Sequence, residues 1–580
     1  MGRLERAEAR DRALATARLG AAVAGLLALF VGLRAGAGAA WWALTPAALF
    51  VGLVVAHDRA TRAADRARRE AAHWQAALRR VNGTWPGTGR AGARFRDPRH
   101  PYAEDLDLFG RGSLFELLCT ARTAAGEECL AGWLRAPAPP DEVRRRQQAV
   151  ADLRDRAALR AAIALAGDAA RQEPGPSDVE AWADAPPLLP AGMARAAAWA
   201  ASVVGLTGLI AWLSGVGAWA LGAGTLVAIG VTGALARGVR GVLGPLDEAA
   251  REIGALAAML ECLADETFRA PLLADLQREL VTGSRAATGR ARRLLALKQW
   301  LDAQRNLLFA PLAALVLWRV HVAFAVERWR RENGSGVAGW RRAGGSIEAL
   351  CALAAYAGEN PDDAFPTLVD GAPRLEARGL AHPLIVQERA VRNDVALGGG
   401  TRLLVVSGSN MSGKSTLLRA VGANAVLAQA GAPVRAREMR LTPLEIGASI
   451  RTVDSLQAGV SRFYAEILRL RDVAALAESA PTLFLLDEIL HGTNSHDRRI
   501  GAEAVARVLL RAGAIGMLTT HDLALADLAA DPALAAANSH FGDRVVEDRL
   551  VFDYLLRPGA VRGSNAIALM RAIGLLQANA

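Results

Sequence analysis

Gly408-Ser409-Asn410-Met411-Ser412-Gly413-Lys414-Ser415-Thr416 is the stretch on which the reading of this chain turns. A β-branched and aliphatic run from Arg402 to Ser407 leads into it and an apolar helical pattern follows. That is strand, glycine-rich loop and helix, the setting that G-x-x-x-x-G-K-[ST] requires. The glycines let backbone N–H groups face phosphate oxygens, and the helix N-terminus adds positive potential. Lys414 is placed to reach the β- and γ-phosphates and Ser415 to ligate Mg²⁺. Lys414 is also one of only two lysines in 580 residues, the other being Lys298, in a chain that otherwise draws its positive charge from arginine.

Further along, Thr482 to Leu486 reads as an apolar strand ending in Asp487-Glu488. Asp487 would hold Mg²⁺ through water, and Glu488 would polarise the attacking water. A second apolar strand, Ile515 to Leu518, leads to Thr519-Thr520-His521, which sets His521 beside the γ-phosphate as a sensor or stabiliser. The expected catalytic residues are Lys414, Glu488 and His521. ATP would lie on Gly408 through Thr416, and the metal on Ser415 and Asp487.

Upstream the chain changes character. It is 52% hydrophobic and 22% charged, with a net charge of +10. A basic balance of this kind usually points to nucleic acid. Here 17 arginines and 7 acidic residues in the first hundred positions carry the whole excess, and residues 101–580 are neutral overall. Those first hundred residues also hold two uncharged stretches, Leu19 to Leu33 and Ala35 to Ala56. Ala196 to Ala236 is a third, 41 residues long, with Ser214 and Gly215 as the expected turn. A membrane span needs about 20 apolar residues, so each region fits a tight helical hairpin with arginine-rich cytoplasmic flanks. Four spans with both ends inside follow. The run Leu307 to Val326, interrupted by Pro311, Arg319 and His321, reads as a soluble core helix. Arginine clusters at 144–146, 290–293 and 328–331 read as solvated helix faces. Cys119, Cys129, Cys262 and Cys351 are too few and too scattered for a disulfide framework.

The order and wording of the nucleotide motifs resemble the MutS family of ATPases. Residues 408–416 are similar to that family's G-P-N-M-G-G-K-S-T, with Ser409 for the proline and Ser412 for a glycine. Asp487-Glu488 through Gly492-Thr493 resembles D-E-x-x-x-G-T-S, and Thr520-His521 the terminal T-H. Ser455 through Glu466 is similar to the segment D-L-x-x-G-x-S-T-F-x-x-E, whose serine serves the opposite subunit. The resemblance therefore implies that Ser461 completes a nucleotide site in trans and that the protein is a homodimer. Leu114 through Leu153, with its Thr123-x-x-Gly126 turn, looks like the opening of the family's helical core. His382-Pro383 and Asn393-Asp394 resemble the lead-in to its ATPase domain. No mismatch-reading domain with a Phe-x-Glu wedge is visible.

The expected fold is an α/β P-loop ATPase domain at the C-terminus, preceded by an all-α core or lever and two transmembrane helical hairpins. The segments are 1–60 (basic segment and hairpin), 61–112 (Arg-rich connector), 113–195 and 237–374 (helical core), 196–236 (second hairpin) and 375–580 (ATPase). The expected function is an ATP hydrolase of a bacterial-type inner membrane, multi-pass, with a cytoplasmic ATPase domain and membrane lipid as a partner. The resemblance implies DNA binding, mismatched or branched. Two alternatives stand beside it: the same motor acting on a membrane or protein partner without DNA, and an ABC-type transporter, against which counts the missing L-S-G-G-Q run.

Overall fold

The computed structural model describes residues 2–35, 44–168, 179–190, 192–282, 284–307, 309–409, 411–451, 462–490, 493–546 and 549–561. They fall into two compact units, Met1–Thr84 and Trp85–Ala580.

The first unit is a pair of long helices, α1 (Gly2–Ala35) and α2 (Leu44–Val81). They run antiparallel: the Thr61 hydroxyl donates to Asp11 (2.7 Å), while Arg68 donates to Glu8 (2.9 Å) further down the pair. Helix α2 continues well past the apolar stretch, so the segment expected as an Arg-rich connector is helical through Val81.

In the second unit, short helices α3 (Leu114–Leu118), α4 (Ala124–Arg135), α5 (Pro140–Arg154), α6 (Ala157–Gly167) and α7 (Val179–Asp184) precede the hairpin α8 (Met193–Leu213) and α9 (Ala218–Leu243). Then come α10 (Leu246–Leu263), α11 (Pro271–Thr282), α12 (Ser284–Ala303), α13 (Ala310–Leu315) and α14 (Trp318–Glu359). The turn between α8 and α9 lies at Ser214–Gly217, where Gly215 and Gly217 adopt φ of 87° and 126°. The two helices pack backbone to backbone: a Cβ on Gly208 would stand 2.4 Å from the Ala220 carbonyl oxygen, and one on Gly224 2.9 Å from Gly205 Cα. Small residues that permit this approach are typical of helix pairs in membranes.

Among the described residues two helices are long and apolar enough to cross a membrane, Met193–Leu213 and the one starting at Ala218. They form one hairpin, where the sequence suggested two. In α1 and α2 the apolar ends belong to helices whose other halves are arginine-rich and tied by the hydrogen bond and the ion pair above. A second expectation also changes. Leu307 to Val326 is not one helix but α13 and the start of α14, broken at Leu317 (φ 49°).

Helix α14 is the spine of the core, packing along α4, α5, α7 and α12. Trp329, Val337, Leu350 and Tyr356 on it are buried. It also carries Glu348, fully buried, which accepts from the backbone N–H of Arg122 (2.8 Å) and Thr123 (3.3 Å) and from the Thr123 hydroxyl. Thr123 in turn caps α4 by accepting from Gly126 N (3.1 Å), so the Thr-x-x-Gly turn is a helix cap held by a distant carboxylate. Burial pushes the Glu348 carboxyl up to about 7, against the opposing pull of those three donors.

The arginine clusters are solvated as expected at Arg145, Arg290, Arg292, Arg293, Arg328 and Arg331, but two of their members differ. Arg146 is buried against the Trp133 ring (4.0 Å) and paired with Glu142, and Arg330 is buried with Glu327 (2.8 Å). Arg145, Arg292 and Arg328 pair with Asp275, Glu261 and Glu332 at 2.6–2.7 Å.

The C-terminal part holds two sheets. A four-stranded sheet that the sequence did not reveal has the order β1 (Thr367–Leu368), β5 (Glu438–Leu441), β2 (Leu375–Leu380), β3 (Asn393–Leu397). The second, six-stranded, runs β10 (Arg549–Pro558), β9 (Ala536–Val546), β4 (Leu403–Ser407), β8 (Ile515–Thr520), β7 (Thr482–Asp487), β6 (Glu445–Ser449). It is parallel except at the β9–β10 edge. Along its strands alternate residues enter two different cores. Leu404, Val406, Leu483 and Leu485 join the cluster that includes α15 (Lys414–Ala430). Leu403, Val405, Phe484 and Leu486 join that of α16 (Arg462–Ser479) and α17 (Ser495–Arg511). Helices therefore cover both faces, and each buried Leu or Phe contributes roughly 1.5–3 kcal/mol.

Candidate functional site

Register brings the site together. Ser407 on β4 lies opposite Thr520 on β8, and Asp487 on β7 opposite Thr519, so the carboxyl ends of three parallel strands meet at one edge of the sheet. In doubly wound sheets ligands bind at that edge. The loop after β4 turns there into α15, whose N-cap is Gly413 with φ 105°. The φ favours glycine, and a Cβ on Gly413 would stand 3.1 Å from the Tyr554 ring, which would have to give way by a few tenths of an ångström.

Lys414, the first residue of α15, is buried. Its ammonium donates to the carbonyls of Gly408 (2.8 Å) and Ser409 (3.0 Å) and lies 3.0 Å from Glu488 Oε1. The other Glu488 oxygen is 3.4 Å from His521 Nδ1. Glu488 itself has φ 46°, a strained conformation for a side-chain-bearing residue that turns the chain sharply after β7. Two donors hold this turn: Glu488 N donates to the Thr519 hydroxyl (3.0 Å), and Leu490 N to the buried carboxylate of Glu466 (2.6 Å). The Thr519 hydroxyl passes its own proton toward Asp487 Oδ1.

A cavity of about 550 Å³ opens at this edge. One wall is Gly413 to Thr416 with Asp487 and Glu488; another is Ile385 and Val391 with His382, and Tyr554 reaches in from β10. The volume lies in the range of small-ligand sites, about 300–1,000 Å³. Burial, then Arg419 and Arg435, lowers His382 to about 4, so the imidazole in that wall is neutral at physiological pH. A nucleotide with its metal fits the donor set: the free N–H groups at the start of a 17-residue helix, a lysine, and a hydroxyl and a carboxylate at Ser415 and Asp487. Two buried hydroxyls in the loop, Ser409 and Ser412, have no partner among the described residues.

Of the residues expected from the sequence, Gly408, Ser409, Ser412, Gly413 and Lys414 form the loop, with Met411 exposed at its tip (φ 74°). Ser415, Thr416, Asp487 and Glu488 line the cavity, and His521 stands behind Glu488. Asn410 and Ser461 lie outside the described residues. The sequence had not singled out Thr519, Glu466, His382 or Tyr554 as individual contributors. Glu466 closes the matched F-x-x-E pattern and Thr519 opens Thr519-Thr520-His521, so both were in view, but their contacts with Leu490 N and Asp487 are tertiary.

Comparison with known proteins agrees with this geometry. Residues 404–578 match the model of MutS domain V. The DNA mismatch repair protein MutS of Natronomonas pharaonis is 34% identical over 242 residues, which is 40% of this chain and 27% of that protein. Endonuclease MutS2 of Thermomicrobium roseum is 34% identical over 38% of this chain and 28% of the relative. DNA mismatch repair protein MSH3 of Coccidioides immitis is 34% identical over 32% and 17%. The matched part thus spans little more than a quarter of the length of these relatives or less. The match takes in the P-loop and the Asp487-Glu488 pair, so over residues 404–578 the chain is similar to domain V of the MutS family.

Proposed function

We propose that this protein is an ATP hydrolase that works as a homodimer anchored in a membrane by the α8–α9 hairpin. The observation that carries the hydrolase reading is the meeting of Lys414 and Glu488 at 3.0 Å on the wall of the nucleotide-sized cavity. The α15 N-terminus and Lys414 would hold the phosphates of ATP. Ser415 and Asp487 would hold Mg²⁺, which when bound neutralises phosphate charge and orients the terminal phosphoryl group. Glu488 accepts the proton of the attacking water, His521 orients its second oxygen, and Thr519 keeps Asp487 and Glu488 in register. Ser461 reaches the partner's nucleotide, which would make both sites composite.

The anchor reading rests on the outward residues of the hairpin. Leu213, Trp219, Leu226 and Ile229 are more than 60% exposed, a patch that water does not tolerate well and lipid does. Arg195 and Arg237 flank the hairpin on one side, which supports a cytoplasmic position for the ATPase.

DNA is the substrate that the names of the relatives suggest. One observation favours the second reading, a motor acting on a membrane or protein partner: the arginines of the helical core are largely neutralised by Glu142, Glu261, Asp275, Glu327 and Glu332. Phosphate contacts need unpaired positive charge. Salt-dependent binding of the detergent-solubilised protein to homoduplex, mismatched and branched DNA, with and without ATP, decides between them. A flat response to all three favours the partner reading. For the composite site, mixing Ser461→Ala with Lys414→Ala subunits should restore part of the activity that each parent lacks.

A further inference from the structure

A cavity of about 820 Å³ lies between the second hairpin helix and the α13–α14 break. Its wall is mostly apolar: Ile229 and Val239 from α9, Leu315 from α13 and Trp318 from α14. Two cations share that wall, Arg240 and Arg319. Neither has a carboxylate partner among the described residues, and the only bond of Arg240 is to its own helix, at the Ala236 carbonyl (3.3 Å). This contrasts with the paired arginines of the core. From Ile229 to Arg240 the cavity follows α9 for eleven residue steps, about 16 Å at 1.5 Å per residue. It therefore has a long apolar flank and a cationic end.

That end is where a headgroup would sit. Arg237 and Arg240 close the uncharged part of α9, and Trp318, whose indole N–H donates to the Trp300 carbonyl (2.6 Å), is the kind of amphipathic ring that marks a membrane–water boundary. Two unpaired guanidinium groups match a phosphodiester with net negative charge, and the strip along α9 matches an acyl chain. A soluble anion would use only the cationic end, and a neutral lipid only the strip.

We propose that this cavity is a binding site for one anionic phospholipid, its phosphate on Arg240 and Arg319 and an acyl chain along α9. The proposal rests on the membrane reading of the hairpin. The site adjoins the start of α14, so its occupant contacts the helix that runs through the core.

Native mass spectrometry of the full chain, released from detergent micelles containing equal amounts of phosphatidylglycerol and phosphatidylcholine with the same acyl chains, tests it. The expected result is one retained phosphatidylglycerol per chain, at least fivefold favoured over phosphatidylcholine, and not displaced by millimolar inorganic phosphate or glycerol phosphate. The double variant Arg240→Gln/Arg319→Gln should lose that preference. Gly233→Leu should reduce retention of both lipids, because a Cβ on Gly233 meets nothing within 4 Å and a side chain there enters the cavity. Equal retention of the two lipids by the unaltered protein, or unchanged selectivity in the arginine variant, overturns the proposal. Displacement by free phosphate overturns it in favour of a soluble anion. If the chain stays in the soluble fraction after detergent-free lysis, the membrane reading itself falls and this inference with it. If it pellets with membranes but retains no lipid preferentially, only this inference falls.

Discussion

Glu488 bridges Lys414 and His521, with one carboxylate oxygen 3.0 Å from the lysine ammonium and the other 3.4 Å from the imidazole. A carboxylate so placed can hold the loop lysine in position and still accept a proton. The substitution Glu488→Gln keeps size and one acceptor but removes the base. It should leave nucleotide affinity within a few-fold and lower turnover by about 100-fold or more, the usual worth of a general base. Lys414→Ala should instead abolish nucleotide binding. Fluorescent-nucleotide titration and phosphate release measure the two effects. Normal turnover in Glu488→Gln would remove that residue from the base role.

Thr519 links Asp487 to Glu488 through a single hydroxyl that donates to one and accepts from the backbone of the other. Thr519→Val preserves shape and breaks both bonds. We expect kcat to fall about tenfold with KM little changed, and Thr519→Ser to recover most of it. A serine variant as impaired as the valine one would show that the β-branched shape matters and the hydroxyl does not.

Asp105 stands 345 positions before Ile450 in the chain and yet accepts from Ile450 N (2.7 Å) and Arg451 N (2.8 Å) and pairs with Arg469 (2.7 Å). It anchors the end of β6 and the flank of α16. Asp105→Asn keeps one acceptor and loses the charge, at a cost of about 1.5–3 kcal/mol for a charged hydrogen bond. In a thermal melt the midpoint should drop by several degrees. Asp141→Asn, which breaks an exposed pair with Arg144, should leave it unchanged.

Glu348 should make stability fall as pH rises. Its folded-state value of about 7 lies above its ordinary value of 4.5, so between those limits the folded chain holds a proton that the unfolded chain has released. Stability from this group is therefore full below pH 4.5 and is lost progressively up to and beyond pH 7, by about 3 kcal/mol in total. Glu348→Gln removes the titration while keeping an acceptor for Arg122 N and Thr123 N. The difference in melting temperature between the variant and the unaltered protein should grow with pH. A constant difference would mean that Glu348 does not change charge in this range.

What the sequence made legible was local. The P-loop, the Asp487-Glu488 strand end and the turn at Ser214–Gly215 are each written in consecutive residues, because glycines, a lysine and apolar periodicity act over a few positions. Arg146 and Arg330 alone in their clusters were misread, because a run of arginines looks the same whether a member faces water or Trp133 and Glu327. The four-stranded sheet escaped because its strands are short and broken up by loops, with β1 two residues long and paired to β5 some 70 positions away. Glu348 and Asp105 escaped for the same reason on a larger scale: their partners lie more than 200 residues off, and such pairings leave no period behind.

Helix α14 is unbroken for 42 residues, about 63 Å. Near its start His321 meets Ser202 of the hairpin (2.9 Å). Near its end the Tyr356 hydroxyl donates to Asp363 (2.9 Å), which takes Arg435 (2.9 Å), whose backbone N–H donates to Asn424 on α15, the helix that follows the P-loop (2.7 Å). An α-helix bends but does not telescope. The second unit is therefore built on a strut whose two attachments are the α8–α9 hairpin and the P-loop domain, and its first residue follows the left-handed Leu317. Such a strut transmits displacement from end to end: if α15 shifts, the hairpin must either move with it or resist.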